Sequence, residues 1–257
     1  MVHPFSVQIR SDVTDILWHI CDGQMPLYTT STGKEVAWIR TSHRGVQFLD
    51  KVQFPRKEKR YIFSAKFEVR YDTAFEEVLR NCADLSRRDR DEERTWISPQ
   101  MFEGYVNLFR SGFAHSYETW QDGKLVGGCI GLHVGGYVSC DTMYHAVSNA
   151  SKAAWGRTLL HLQARGFKWA DTNCVASHHV NYGEEWVPQW RFEQLMREAI
   201  AERIPFLQAS EPPRVPAIVR LGLPAKRMLI AAGRRGRQWI GRPQREAPAV
   251  PARAISN

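Results

Sequence analysis

No apolar run in this 257-residue chain approaches the ~18–20 residues needed to cross a bilayer. Residues 1–10 also lack the apolar stretch of a secretory leader. Both absences predict a protein of the cytoplasm. The five cysteines (Cys21, Cys82, Cys129, Cys140, Cys174) are odd in number, far apart and contain no Cys-x-x-Cys pair, which argues for reduced thiols rather than disulfides or a zinc site. His133, His145, His161 and the adjacent pair His178-His179 have no Cys or carboxylate at ligand spacing, so no metal is expected. No Ser-His-Asp or Cys-His arrangement is evident. A phosphate loop is missing too. Gly127, Gly128, Gly131, Gly135 and Gly136 fall within or between expected strands, whereas a phosphate loop runs from a strand into a helix N-terminus; close packing and turns explain them better.

Charge is unevenly placed. The formal net charge is +8, and residues 211–257, with ten Arg or Lys against two acids, carry all of it. The rest of the chain is formally neutral, so nucleic-acid binding by the folded body must rest on a local patch. One such cluster is Arg44, Lys51, Arg56, Lys57, Lys59 and Arg60. A solvated loop and helix face is the plainer reading of the same run.

Periodicity and punctuation predict an α+β protein. A helix over 12–22 is followed by strands at 25–28 and 36–39, and another strand over 67–70. Thr73-x-x-Glu76 reads as a capping box opening a helix over 74–84. Residues 87–94 read as a charged, exposed loop. Ser98-Pro99 opens a further helix that stops at Gly112. Residues 115–144 read as antiparallel strands, with Asp122-Gly123 and Gly135-Gly136 as hairpin signals. Ser148 or Asn149 caps a helix through 164, residues 167–174 form a strand, and 189–203 an amphipathic helix. The expected organisation is a small N-terminal α/β domain over 1–65, a larger domain over 66–210, and a basic, Pro/Arg-rich, flexible tail over 211–257 with a possible short helix at 221–230.

Certain motifs carry more than fold. In order along the chain stand Thr95-Trp96-Ile97, Ala114-His115-Ser116, Glu118, Trp120, Gly123-Lys124-Leu125-Val126-Gly127-Gly128 and Asn149-Ala150-Ser151-Lys152. This order and spacing resemble the leucyl/phenylalanyl-tRNA–protein transferases. The resemblance covers roughly residues 15–200, is most specific over 95–152 and is absent from the tail. It extends to Cys140-Asp141-Thr142-Met143-Tyr144, similar to the family's Gly-Glu-Ser-Met-Phe strand, and to Asp171-Thr172-Asn173, similar to its Asp-x-Gln strand. Asp141 and Asn173 are each one methylene shorter than the family's Glu and Gln. The family's Ser-Pro-Asp-Pro after the first tryptophan is absent (Arg40-Thr41-Ser42-His43), and its Pro-Arg is Pro188-Gln189.

The resemblance implies an acetyltransferase-type fold that takes its acyl group from charged tRNA and not from coenzyme A. The glycine-rich pyrophosphate turn is indeed replaced by Ser148-Asn149-Ala150-Ser151-Lys152, and no cofactor is expected. By resemblance, Trp38 and Trp96 hold the 3′-terminal aminoacyl-adenosine; composition alone would place both in the core. Asn173 contacts the reacting amine or the oxyanion, and Asp171 orients Asn173 and relays a proton. Asp141 binds the acceptor amine or the terminal ribose. Met143, with Tyr144 beside it, lines the pocket for a Leu, Phe or Met side chain. The basic cluster meets the tRNA backbone. The implied activity is transfer of an apolar amino acid to the N-terminal amine of a protein beginning with a basic residue, marking it for degradation. A relative acylating a small-molecule amine, or one that only binds tRNA, fits the same residues.

Overall fold

The computed structural model describes residues 13–28, 36–84, 96–173 and 182–207. The Arg87-to-Arg94 loop, the His178-His179 pair, Cys174, the possible helix at 221–230 and the tail lie outside the described residues. The fold is mixed α+β, as expected. Helix α1 (Val13–Cys21) buries Ile16, Leu17 and Ile20, and the antiparallel pair β1 (Met25–Tyr28) and β2 (Val36–Ile39) follows. Strand β3 (His43–Phe48), a 3-10 turn (Leu49–Lys51) and α2 (Arg56–Ile62) lead to β4 (Glu68–Tyr71) and α3 (Phe75–Ala83). Next come α4 (Pro99–Arg110), β5 (Ala114–Gln121), β6 (Lys124–Val134), β7 (Tyr137–Val138) and β8 (Thr142–His145). Helix α5 (Ala150–Arg165), β9 (Trp169–Asn173), β10 (Glu184–Pro188) and α6 (Gln189–Ile200) complete the described chain.

Two larger sheets result. One runs β4-β5-β6-β7, with β8 also pairing β6; the other runs β10-β3-β9. They meet at a parallel bridge between Ser139 and Asp171, where Cys140 N–H donates to the Asp171 carbonyl at 2.8 Å. Gly131 allows that crossing, since a Cβ there would sit 1.8 Å from the Ser139 carbonyl oxygen. Gly127 lets α5 lie on the sheet, a Cβ being only 2.6 Å from that of Ala150. These β6 glycines thus serve close approach.

Strong local signals are realised in the structure. Ser98 Oγ caps α4, accepting from Met101 N–H at 3.2 Å, with Pro99 at the first turn. Asp122 and Gly123, at φ +50° and +72°, form the two-residue hairpin turn. Other signals are overridden. The capping box at Thr73 does not form, because Glu118 of β5 accepts the Thr73 and Ala74 N–H groups at 2.7 Å each and also the Thr73 hydroxyl. Asn149 opens α5 in the left-handed region without a side-chain cap. Strands β3 and β10 have no counterpart in the sequence reading. β3 pairs with β9 and β10 and α2 packs on α5, so the sheet continues across the boundary placed at residue 65. No helix among the described residues is long and apolar enough to cross a membrane.

Candidate active site

The site lies where the two sheets meet. Asp171 is fully buried on β9, and so is Arg44 on β3 at 1% exposure. Arg44 Nε donates to both Asp171 oxygens at 3.0 and 3.2 Å, and its Nη2 donates to Oδ2 at 2.8 Å. The Tyr137 hydroxyl donates to the same carboxylate at 3.0 Å and the Asn173 N–H at 2.8 Å. The guanidinium also lies over the Phe192 ring, 4.7 Å from its centre. Burial opposes its charge, but Asp171 more than offsets this and pushes the Arg44 pKa upward. Burial, reinforced by Asp171, likewise pushes the Tyr137 phenol up, so it serves as a neutral donor.

This pair bears on two of the expected roles. Arg44 belongs to the protein interior and cannot reach a tRNA phosphate. Asp171 is enclosed by donors on both oxygens, which suits a residue that holds its neighbours and not one that relays protons.

A bulge separates Asp171 from Asn173. Val46 pairs with Asp171 and Gly45 with Asn173, so Thr172 is an extra residue in β9. Without it, two residues apart on a strand would face the same way. With it, Asp171 turns inward and Asn173 faces the opening, a common use of bulges beside sites. Asn173 has φ +61°. Asn is enriched in the left-handed region and longer side chains are not. The backbone here thus gives a physical reason for Asn where the family carries Gln.

Asn173 Nδ2 donates to the Cys140 carbonyl at 3.3 Å and to Asp141 Oδ1 at 3.4 Å, both long. The other Asp141 oxygen accepts from the Tyr105 hydroxyl at 2.8 Å. Burial raises the Asp141 pKa to about 6; the Tyr105 hydrogen bond works against that rise and the Asp171 charge adds to it. Tyr105 is pushed upward by burial and by Asp141, and stays protonated. Trp96, partly buried, meets Tyr105 edge-on with ring centres 5.6 Å apart. The structure therefore brings Asp141, Asp171, Asn173 and Trp96 together.

Other expected residues lie elsewhere. Trp38 is 8% exposed and its indole is stacked on His19, 4.5 Å apart and 3° from parallel, so that face cannot hold a base. Tyr144 is buried in the larger apolar cluster. Met143 is partly buried against the second cluster, beside Cys129. Of the basic cluster, Lys51 is paired with Glu185 at 2.6 Å, while Arg56, Lys57, Lys59 and Arg60 are exposed on α2. Glu58 of that helix turns inward, accepting from Lys152 at 3.2 Å and from the Tyr182 hydroxyl at 3.1 Å.

Asn173 opens on a cleft of about 580 Å³ lined also by Met25, Ile39, Thr41, Ser42, His43 and Trp186. Sequence reading missed Trp186, Tyr105 and Tyr137. It also read Arg44 within a charge run, although Gly45 and Val46 beside it set it apart. Among the described residues no group of His, Cys, Asp and Glu could hold a metal.

A model of the family described as leucyl/phenylalanyl-tRNA protein transferase matches residues 46–197. A protein of that name from Gloeobacter violaceus is 37% identical over 169 residues, covering 66% of this chain and 84% of its own. Another, from Chlorobium limicola, is 33% identical over 196 residues, covering 76% and 99%. Among solved structures, L-PGS from Bacillus licheniformis aligns with 51% of this chain and 44% of its own at TM-score 0.37 and 12% identity. The matched segment includes Asp141, Asp171 and Asn173 and extends over more than half of the chain, which belongs to the leucyl/phenylalanyl-tRNA–protein transferase family.

Proposed function

We propose that the protein transfers Leu, Phe or Met from its tRNA to the N-terminal amine of a protein beginning with a basic residue, on an acetyltransferase-type framework. The observation that carries this reading is an amide donor that lines a cleft and has a carboxylate directly behind it. The Asn173 side-chain amide makes only long hydrogen bonds, and Asp141, 3.4 Å away, has its pKa raised by burial to about 6.

The donor ester is already activated, so no covalent enzyme intermediate is required. The amine nitrogen attacks the ester carbonyl carbon, and the oxygen takes up the negative charge. Asn173 Nδ2 turns from its weak partners to that oxygen. Asp141, ionised above pH 6, accepts the proton that the nitrogen sheds as its bond to the carbonyl carbon forms. When the bond to the ribose oxygen breaks, that proton passes to the departing hydroxyl. Arg44 and Asp171 hold Asn173 in place. The exposed cations of α2 meet backbone phosphates, giving binding that depends on salt and not on sequence.

The start of α5 supports an aminoacyl ester over coenzyme A as donor. A Cβ on Gly127 would come within 3.0 Å of Ser151 N, so the first turn of α5 is packed against β6 where an acetyltransferase holds pyrophosphate. The test is direct. Full-length protein, Leu-tRNA and an Arg-initiated peptide should yield a peptide heavier by one leucyl residue. Release of free leucine without peptide modification, in the presence of excess acceptor, would overturn the reading.

A further inference from the structure

We propose that Tyr137 is a further positioning residue, whose hydroxyl steadies the Asp171 carboxylate, and through it the Asn173 backbone, and limits the charge that Asp171 presents to Asp141. The inference rests on the transferase reading. It adds a residue of the five-stranded sheet to a pair held in the other one. Tyr137 is fully buried on β7, 34 residues before Asp171. Its place is fixed from two sides. Gly136 N–H donates to the Ala199 carbonyl at 2.7 Å and ties the turn before β7 to the end of α6. The Trp169 ring meets the phenol edge-on, with ring centres 5.7 Å apart. The two Asp171 oxygens divide their donors. Oδ1 accepts from Asn173 N–H at 2.8 Å and Arg44 Nε at 3.0 Å. Oδ2 accepts from Arg44 Nη2 at 2.8 Å and the Tyr137 hydroxyl at 3.0 Å. A guanidinium fork sets the carboxylate plane, and a donor from another strand restrains its rocking about the Cβ–Cγ bond. The N–H that accompanies Asn173 at φ +61° is bonded to that same carboxylate.

A buried phenol needs an acceptor, and a carbonyl suffices: Tyr117 uses that of Ser139 at 2.9 Å. Tyr137 instead joins a carboxylate that already has its counter-ion. A hydrogen bond to an ionised group is the stronger kind, and it draws charge towards the phenol. That charge matters at Asp141. The titratable groups facing Asp141 are Tyr105 from α4, Tyr117 from β5, Tyr137 from β7, its neighbour Cys140, Arg44 from β3 and Asp171 from β9. Burial keeps the phenols neutral, and the Cys129 contact together with burial does so for the thiol. Among the described residues, Arg44 and Asp171 are therefore the charges that act on Asp141. Burial is the main cause of the Asp141 pKa of about 6, and the Asp171 charge adds to it. A phenol that takes up part of the Asp171 charge lessens that addition.

The test compares full-length wild type with Tyr137→Phe and with Tyr182→Phe, which loses a buried phenol–carboxylate hydrogen bond outside the site, to Glu58 at 3.1 Å. Tyr137→Phe should lower kcat for leucyl transfer about 10-fold, with KM for Leu-tRNA and for the peptide within about two-fold. The rising limb of its pH–rate profile and the Asp141 midpoint in carboxyl-carbon NMR should both move upward by about 0.5, so the loss is larger at pH 6 than at pH 8. Tyr182→Phe should lower the urea midpoint and move neither kcat nor the limb. Replacing Tyr137 by 3-fluorotyrosine keeps the hydroxyl and makes it a stronger donor. The limb should then move downward, which keeps the test open if Tyr137→Phe does not fold. Tyr137→Phe with a lower urea midpoint but wild-type kcat and limb leaves the phenol a packing role and overturns the inference. An equal loss of kcat in Tyr182→Phe, or an unmoved limb in the fluorinated protein, overturns it too. Wild type that transfers no leucine, while the Asp141 midpoint still moves in Tyr137→Phe, refutes the transferase reading and leaves the link from Tyr137 to Asp141 in place. Wild type that transfers leucine, with rate and midpoint unmoved in Tyr137→Phe, refutes the inference alone. No transfer and no movement refutes both.

Discussion

Glu118 and Asp171 are both carboxylates with no exposed surface, one in each large sheet, and they are satisfied in opposite ways. Glu118 draws on neutral donors close at hand: Ser116 and Trp120 from its own strand at 2.8 and 2.9 Å, and the backbone and hydroxyl at the start of α3. Asp171 relies on a buried guanidinium from a strand 127 residues away. The first arrangement ties β5 to the residues that open α3 and to its own strand neighbours. The second leaves a neighbour, Asn173, loosely bonded and facing a cleft, with Asp141 beside it. A saturated carboxylate therefore marks structure. One beside a partly satisfied amide is where the proposed chemistry is placed.

The largest effect should come from removing the counter-ion. Arg44→Met leaves the Asp171 charge buried and alone, and should lower stability by about 3–5 kcal/mol in urea denaturation. Adding Asp171→Leu should restore much of that stability while transfer stays depressed by ~10²-fold or more, because Asn173 is no longer held. If Arg44→Met unfolds at the wild-type midpoint, the two carboxylates are not different in kind.

Asp141→Asn should reduce the transfer rate by about 10²–10⁴-fold with donor affinity little changed. In wild type the rate should climb as pH rises through about 6, the pKa of Asp141, and that limb should be missing from the residual activity of the variant. The sign for stability is opposite. The folded value lies above the unfolded ~3.9, so the folded chain binds more protons between the two, and the ionised side chain lowers stability as pH rises across that window. Asp141→Asn should therefore be more stable than wild type at pH 8 and no more stable at pH 4. Carboxyl-carbon NMR placing the Asp141 midpoint near 4 would remove both expectations.

Glu118→Gln should cost about 1.5–3 kcal/mol, since one amide NH₂ must face donors where an oxygen stood. Its transfer rate per folded molecule should equal wild type, and a lower kcat at full folding would place Glu118 in the site after all. The smallest effect belongs to the surface. Each of Lys57→Glu and Arg60→Glu should weaken tRNA binding a few-fold and reduce the slope of log K against log salt by ~0.7–0.9 for every phosphate that is no longer neutralised. An unchanged slope in the double variant would put the tRNA on another face.

Much of the fold is readable where neighbours in sequence are also neighbours in space. The β5–β6 hairpin, α4 with its Ser-Pro start and α1 follow from turn residues, caps and period. β3 is hidden because Arg44 and Gln47 are buried polar residues, which break the alternation of a half-buried strand. β10 is hidden because Glu184 and Val187 are buried while Glu185 and Trp186 are exposed, again without a period of two. The residues Asp141, Asp171 and Asn173 can be found through their motifs, but their division of labour cannot. The bulge at Thr172, the Arg44 partnership and the left-handed Asn173 are tertiary facts. Trp38 is the converse case, a motif position whose indole packs on His19.

The position of β3 also has a consequence in time. Arg44 is synthesised 127 residues before Asp171, and β3 lies between two strands that both come from the far end of the described chain. At ~5–20 residues per second, a ribosome needs roughly 6–25 s to bring out the partner. Throughout that interval the five-stranded sheet, whose contacts are nearer in sequence, can already close. The Arg44–Asp171 pair and the proposed site beside it are therefore among the last features to assemble on a nascent chain, and one halted before β9 would carry a folded hairpin sheet without them.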